Sequence, residues 1–454
     1  MSALWTSAEA ESATLGKSSR PFAVTGVSID TRTLKEGELY VAIKGENRDG
    51  HDFIRAAFKA KAGAALVAHQ PDKADGALLV VSNTQRALED LGRASRARSD
   101  AKIIAVTGSA GKTTTKEMLR LAFGALGQTH ASSGSLNNHW GVPLSLASMP
   151  RATAFGVFEI GMNHFGEIRS LVSFVRPHVA LITTVAPAHL EFFGNCEAIA
   201  DAKSEVFESI VPGGAALVPA DNPYAERLSA RAKQCRVARI LTFGSKPGSD
   251  ARLLSYYESG DGARIKADIL GAPVEFRIGA PGWHIASNAL GALLCVASLE
   301  GDVRNAAAAL KEFAALKGRG ARFMAGGVEV IDESYNANPA SMAAALAMLG
   351  KASGRRVAVL GDMLEMGADG AAHHAGLAPG IEAARTDLVF LCGPLMKALW
   401  DALPAQYRTA YAANSAELVG QVVAALQPGD TVLVKGSNGS RMSVIIDALK
   451  LRSA

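Results

Sequence analysis

Ala101-Lys-Ile-Ile-Ala-Val-Thr-Gly-Ser-Ala-Gly-Lys-Thr-Thr-Thr115 is an apolar run that breaks into a glycine-bounded turn and then into a helical pattern. Ile103 to Val106 are β-formers in a run short enough for a buried parallel strand, and Lys116 to Phe123 has helical periodicity. Between them Thr107, Gly108, Ser109, Ala110, Gly111, Lys112, Thr113 and Thr114 read as a phosphate-binding loop. Backbone N–H groups in such a turn point inward and, with the positive end of the helix, hold an anion. Lys112 is expected to reach the outer phosphates of ATP, and the Thr113 hydroxyl to ligate the accompanying Mg²⁺. Val106 stands where the usual motif has its first glycine, so the loop is a shortened variant.

Working outward, 454 residues exceed one ordinary core, and three domains are expected, over 1–99, 100–317 and 318–454. The composition, 48% hydrophobic and 20% charged, is globular, and no apolar run approaches the length of a bilayer span. The first residues lack a basic segment followed by an apolar core, and four scattered cysteines suit a reducing compartment, so a cytoplasmic protein is expected. A net charge of +4 without basic runs argues against nucleic acid as a partner. A monomer without membrane insertion is expected.

The alternation of strands and helices after the phosphate loop predicts a doubly wound sheet with ligands beyond its strand C-termini. Two strand ends carry candidate ligands. Ala154 to Phe158 stops at Glu159, and Val179 to Val185 leads to His189. Beside a phosphate loop, both are candidates for Mg²⁺. From Glu197 to Val211 a helical pattern aligns Ile199, Lys203, Val206, Phe207 and Ile210 on one apolar stripe. Lys203 is the misfit. A buried amine pairs, snorkels or loses its proton, and a neutral amine reacts with CO₂ to give a carbamate, an anionic ligand for a second Mg²⁺. Pairing with Glu205 remains open at this point.

In the N-terminal region Ser28, Asp30 and Arg32, and then Asn47, Arg48 and His51 in a glycine-punctuated loop, are either a solvated turn or groups for a diphosphate and a sugar or base. Further on, Leu253 to Ile278 is β-rich with a turn at Gly260-Asp-Gly262, and Asn288 opens an alanine-rich helix where it either meets a base or caps locally. Lys317-Gly-Arg-Gly-Ala-Arg322 reads as a cationic hinge. The strands that follow predict a second, Rossmann-like parallel sheet with helices on both faces, and the small N-terminal unit is α/β as well. Acids and bases at the second sheet's strand ends, among them Asp362 and Lys435, suit a small zwitterion.

Taken together, Thr107 to Thr114, Glu159-Ile-Gly-Met-Asn-His164, His189 to Gly194, Ala202-Lys-Ser-Glu205, Asn288 and Arg322 resemble the ATP-dependent Mur ligases of bacterial cell-wall synthesis. Ser334-Tyr-Asn-Ala-Asn-Pro-Ala-Ser-Met342 and Leu360-Gly-Asp-Met-Leu-Glu-Met-Gly367 are similar to the member that adds D-alanyl-D-alanine to UDP-N-acetylmuramoyl-tripeptide. The resemblance implies that Thr113 and Glu159 hold one Mg²⁺, and that His189 and a carbamylated Lys203 hold another. It implies nucleotide contacts from Asn288, Arg322 and Glu333, the last standing where the family usually has aspartate. Ser28, Asp30, Thr31, Arg32, Asn47, Arg48 and His51 would bind the uridine diphosphate sugar, and Asn137, Asn138 and His164 the peptide. The alternative is a family ligase with another amine substrate, including enzymes like folylpolyglutamate synthase.

Overall fold

The computed structural model describes residues 3–70, 75–259 and 262–452; Gly260 and Asp261, where a turn is expected, lie outside them. Besides a two-stranded pairing of Trp5–Thr6 with Ala23–Val24, three larger sheets follow one another along the described residues. The first has the spatial order Lys17–Ser18, Ala77–Val80, Ala64–Val67, Leu39–Val41 and Val27–Ser28, all parallel except the first pair. Helix Thr84–Ala97, capped by Asn83, closes this unit.

The central sheet has nine strands. Thr129–Ala131, Phe155–Glu159, Lys102–Thr107, Val179–Ile182, Ala215–Pro219 and Arg239–Gly244 run parallel in that order. Ala251–Ser259, Gly262–Ile269 and Ala272–Ile278 then form the expected β-rich excursion as an antiparallel meander. The phosphate-loop strand lies inside the sheet and is buried on both faces. Ile104 and Val106 join one core cluster, and Ile103 and Ala105 join the other. That explains its continuous rather than alternating hydrophobicity. The helix predicted to reach Val211 is shorter: Cys196–Ser204 is α-helical and Glu205–Phe207 tightens to a 3₁₀ turn.

The third sheet orders its strands Ala321–Ala325, Val328–Glu333, Thr431–Lys435, Arg356–Gly361, Leu388–Cys392 and Arg408–Ala412. Its first strand departs from the all-parallel expectation. Gly326 and Gly327, with φ of 57° and 80°, turn the chain directly back, so Ala321–Ala325 pairs antiparallel with Val328–Glu333.

Candidate active site

Two glycines shape the phosphate loop for different reasons. Gly108 has a φ of 152°, and a Cβ there would collide with Thr183 Oγ1; Gly111 has a φ of 81°, and a Cβ would lie 2.8 Å from the Asn288 amide nitrogen. Neighbouring strand ends then hold the loop. Ser109 Oγ donates to the Ala186 carbonyl at 2.9 Å, and Thr183 Oγ1 donates to the Ala110 carbonyl at 2.5 Å. Lys112, first residue of helix Lys112–Gly124, curls back to donate from Nζ to the Gly108 carbonyl at 2.8 Å. The lysine spans the loop and leaves its cradle open.

The atoms facing this loop are charged or polar and incompletely satisfied. Glu159, only 1% exposed, accepts from Asn137 Nδ2 at 2.7 Å through Oε1, while Oε2 is buried without a hydrogen-bond partner. The Thr113 hydroxyl is also buried and unpartnered. Orphaned buried oxygens are costly, and paired around a phosphate loop they fit a hard cation. Among the described residues no three His, Cys, Asp or Glu side chains converge as a metal cage. Mg²⁺ usually takes one or two carboxylates and completes its shell with phosphate and water, so this donor set fits it.

Lys203 is 2% exposed and, among the described residues, its side-chain amine makes no hydrogen bond or ion pair. The Glu205 pairing left open above does not form: that carboxylate instead accepts the backbone N–H groups of Gly166 and Arg169. Burial drives the Lys203 pKa well below its ordinary value, and repulsion from the Lys112 ammonium adds to the shift. Lys112 is itself lowered by enclosure, against which Glu159 acts, while Arg319 pushes the same way as burial. Two cations, one carboxylate and an amine whose charged form burial disfavours thus share a small volume that suits a polyphosphate.

Of the two arginines in the expected hinge, Arg319 is the one turned toward the loop. It donates to Ser135 Oγ at 3.3 Å and lies 4.0 Å over the Tyr335 ring. Arg322 pairs with Glu329 and lines a cavity of about 340 Å³ between the central and C-terminal domains, together with Trp283, His284 and Met348. Glu333 binds Lys435 Nζ at 2.9 Å, so these two candidates occupy each other; Lys435 is 1% exposed and also donates to the Asn336 carbonyl.

Several residues read as ligands have their polar atoms engaged by the protein itself. His51 accepts the Ala68 N–H on Nε2, which leaves the proton on Nδ1, and Nδ1 meets Asp49 at 2.6 Å. No ring nitrogen remains for substrate. Asn138 accepts from the N–H groups of Trp140 and Gly141 and starts helix Gly141–Ala147. Asp362 is 3% exposed and accepts from the N–H groups of Leu395 and Met396, while burial raises its pKa. These side chains satisfy backbone N–H groups. Polar residues after strands look alike in sequence whether they satisfy backbone or ligand.

Ser28 is buried and bonded to the Asp30 carbonyl, and the Asp30 carboxylate forms an exposed ion pair with Arg32. Thr31 sits between them, half-buried. Asn47 and Arg48 are exposed at a tip closed by the Gly45 N–H to Arg48 carbonyl bond at 2.9 Å. Against Gly45 packs Trp140 of the central domain. His164 is exposed, 3.0 Å from Glu167, with its ring 4.7 Å from that of Phe192.

His189 holds a surprise. Its Nδ1 is hydrogen-bonded to Glu365 of the C-terminal domain, and this bond holds the Glu365 carboxyl below its usual range. In the sequence Glu365 reads only as one of the strand-end acids suited to a zwitterion; its link to His189 is hidden because 176 residues separate the pair.

Known proteins are similar to this chain over most of its length. Residues 106–296 match the Mur ligase middle domain, 318–438 the Mur ligase glutamate ligase domain, and 23–72 the Mur ligase family catalytic domain. UDP-N-acetylmuramoyl-tripeptide–D-alanyl-D-alanine ligase of Rickettsia prowazekii is 34% identical over 93% of this chain and 94% of its own. The MurF crystal structure from Acinetobacter baumannii superposes with a TM-score of 0.87 at 30% identity, covering 98% of this chain and 99% of that one. MurF of Thermotoga maritima, solved in complex with ADP, has the same fold at 23% identity, with a TM-score of 0.78 over 94% and 98% of the two chains. With all three units matched in order and relatives aligned over nearly their full lengths, the chain belongs to the Mur ligase family.

Proposed function

We propose that the chain is an ATP-dependent carboxylate–amine ligase that joins D-alanyl-D-alanine to UDP-N-acetylmuramoyl-tripeptide in peptidoglycan precursor synthesis. The observation that carries the chemistry is the cluster at the phosphate loop: Lys112, the orphaned oxygens of Thr113 and Glu159, and the unpaired Lys203 amine. The names of its relatives supply the two substrates.

A carboxylate at neutral pH is a poor electrophile, and joining it to an amine requires one of its oxygens to become a leaving group. In-line attack of the tripeptide carboxylate on the γ-phosphate makes that oxygen part of an acyl phosphate and releases ADP. Lys112 stabilises charge on the outer phosphates, with Arg319 approaching from the hinge side. Mg²⁺, when bound, neutralises the charge that develops on the transferred phosphoryl group. Thr113 and Glu159 would hold one ion, and His189 and Lys203 a second. For that role Lys203 would add as a neutral amine to CO₂ and lose a proton, becoming a carbamate. The dipeptide amine then attacks the acyl carbon, phosphate leaves, and an amide remains.

In this reading residues 1–99 take the uridine diphosphate sugar, 100–317 the ATP and 318–454 the dipeptide. Four free cysteines fit a cytoplasmic enzyme, and among the described residues no helix is long and apolar enough to cross a membrane. ADP release, measured with each acceptor present or withheld, tests the proposal. Turnover should require both the nucleotide-linked tripeptide and D-alanyl-D-alanine. Equal or faster turnover with a single amino acid would reassign the chain to another amine.

A further inference from the structure

His189 and Glu365 come from different domains, yet the bond between them is built into both backbones. Each residue holds a positive φ, 58° at His189 and 62° at Glu365. Non-glycine residues adopt this region only at a cost and keep it only where their surroundings enforce it. The Glu191 N–H donates to the Glu365 carbonyl at 3.2 Å. Gly367, with a φ of 67°, brings the same turn so near that an added Cβ would lie 3.3 Å from the Glu191 Cα. A turn of the C-terminal domain is therefore seated directly on the segment that carries His189.

We propose that Glu365 is a positioning residue. By accepting from Nδ1 it fixes the proton there and leaves the Nε2 lone pair, which has no protein partner among the described residues, available to a cation. An imidazole binds a metal through one nitrogen while the other donates to an oriented acceptor, and that acceptor sets both tautomer and ring orientation. Here the acceptor arrives from another domain. The cation site is consequently complete only when the C-terminal domain is docked, which ties readiness of the phosphoryl-transfer site to the domain proposed to carry the incoming amine. This inference rests on the reading of His189 as a ligand, and the experiment separates the two.

Mn²⁺ binding to the full-length enzyme with a non-hydrolysable ATP analogue is measured by electron paramagnetic resonance for wild type, H189A, E365A and E365Q. In parallel, ¹⁵N-histidine spectra report which His189 nitrogen carries the proton. The Glu365 side chain is 39% exposed, so neither substitution opens a core, and thermal unfolding checks each variant. H189A should lose one of two Mn²⁺ ions. E365A should weaken that ion on the order of 10–100-fold, whereas E365Q, which keeps an acceptor oxygen, should stay within about threefold of wild type and retain the Nδ1 proton. If H189A loses the ion and E365A does not, the inference is overturned while the ligand reading stands. If H189A binds both ions normally, both fall. Equal damage from E365Q and E365A would reduce the contact to a plain ion pair and overturn the positioning role.

Discussion

The central domain meets its two neighbours in opposite ways. Toward the N-terminal domain it shares a hydrophobic core: Leu144 and Ala147 belong to the same buried cluster as Trp5, Leu88 and Leu91. Gly92 allows close approach there, since a Cβ would sit 3.1 Å from the Pro143 carbonyl. Trp5 donates to the Ala147 carbonyl at 2.8 Å, and Arg96 reaches the carbonyls of Val175 and Arg176. Toward the C-terminal domain, the central clusters and those of the third sheet are separate. The contacts are polar and pairwise: His189 with Glu365, Ser135 with Arg319, Glu258 with Lys351. Buried apolar contact makes two domains one body, while exposed polar pairs hold a geometry that can be released. A ligase that admits three substrates needs one joint of the second kind.

Breaking the tight joint should have the largest effect. Trp5 is 1% exposed, with Arg98 stacked 3.7 Å over its ring, and Trp5→Ala should cost about 3–5 kcal/mol in denaturant unfolding. Acid should destabilise the central domain beside this joint. Burial first, then the charges of Arg96 and Lys102, hold His178 down at a pKa of about 4, and its Nδ1 accepts the Ile103 N–H at 2.9 Å. The unfolded chain takes up this proton from about pH 6.5 downward. The folded chain resists until about pH 4. Stability should therefore fall across that window by an amount on the order of 2–3 kcal/mol and lose nothing further from this group below it. His178→Gln, which offers a neutral acceptor, should flatten the slope of unfolding free energy against pH. At the loose joint the effect should be small: Lys351→Ala removes an exposed pair with Glu258 at 2.8 Å and should change stability by less than about 1 kcal/mol. A loss as large as that of Trp5→Ala would erase the distinction between the two joints.

The contrast also explains what could be read in the sequence. The phosphate loop, the strand-end Glu159 and the buried Lys203 are local: a strand followed by glycines, an apolar run that stops at a charge, a cation on an apolar stripe. Each signal lies within about one element, and each matches the structure. The loose joint is invisible at that range. Glu365 gains its meaning from a histidine 176 positions away, and Arg319 differs from Arg322 because it lies in the turn before the edge strand rather than on it. Asn138, Asp362 and His51 show the converse failure. Their setting, a polar residue in a turn after a strand, is shared by ligand-binding and backbone-capping residues, and only the partner atoms decide.

The chain passes between the second and third sheets once, through a short segment in which Gly318 and Gly320 take φ of 73° and 94°. Among the described residues no strand is exchanged across it. The C-terminal third is thus a cassette on a single tether. A unit joined in this way can be exchanged or retuned while the sheet that carries the phosphate loop is left intact.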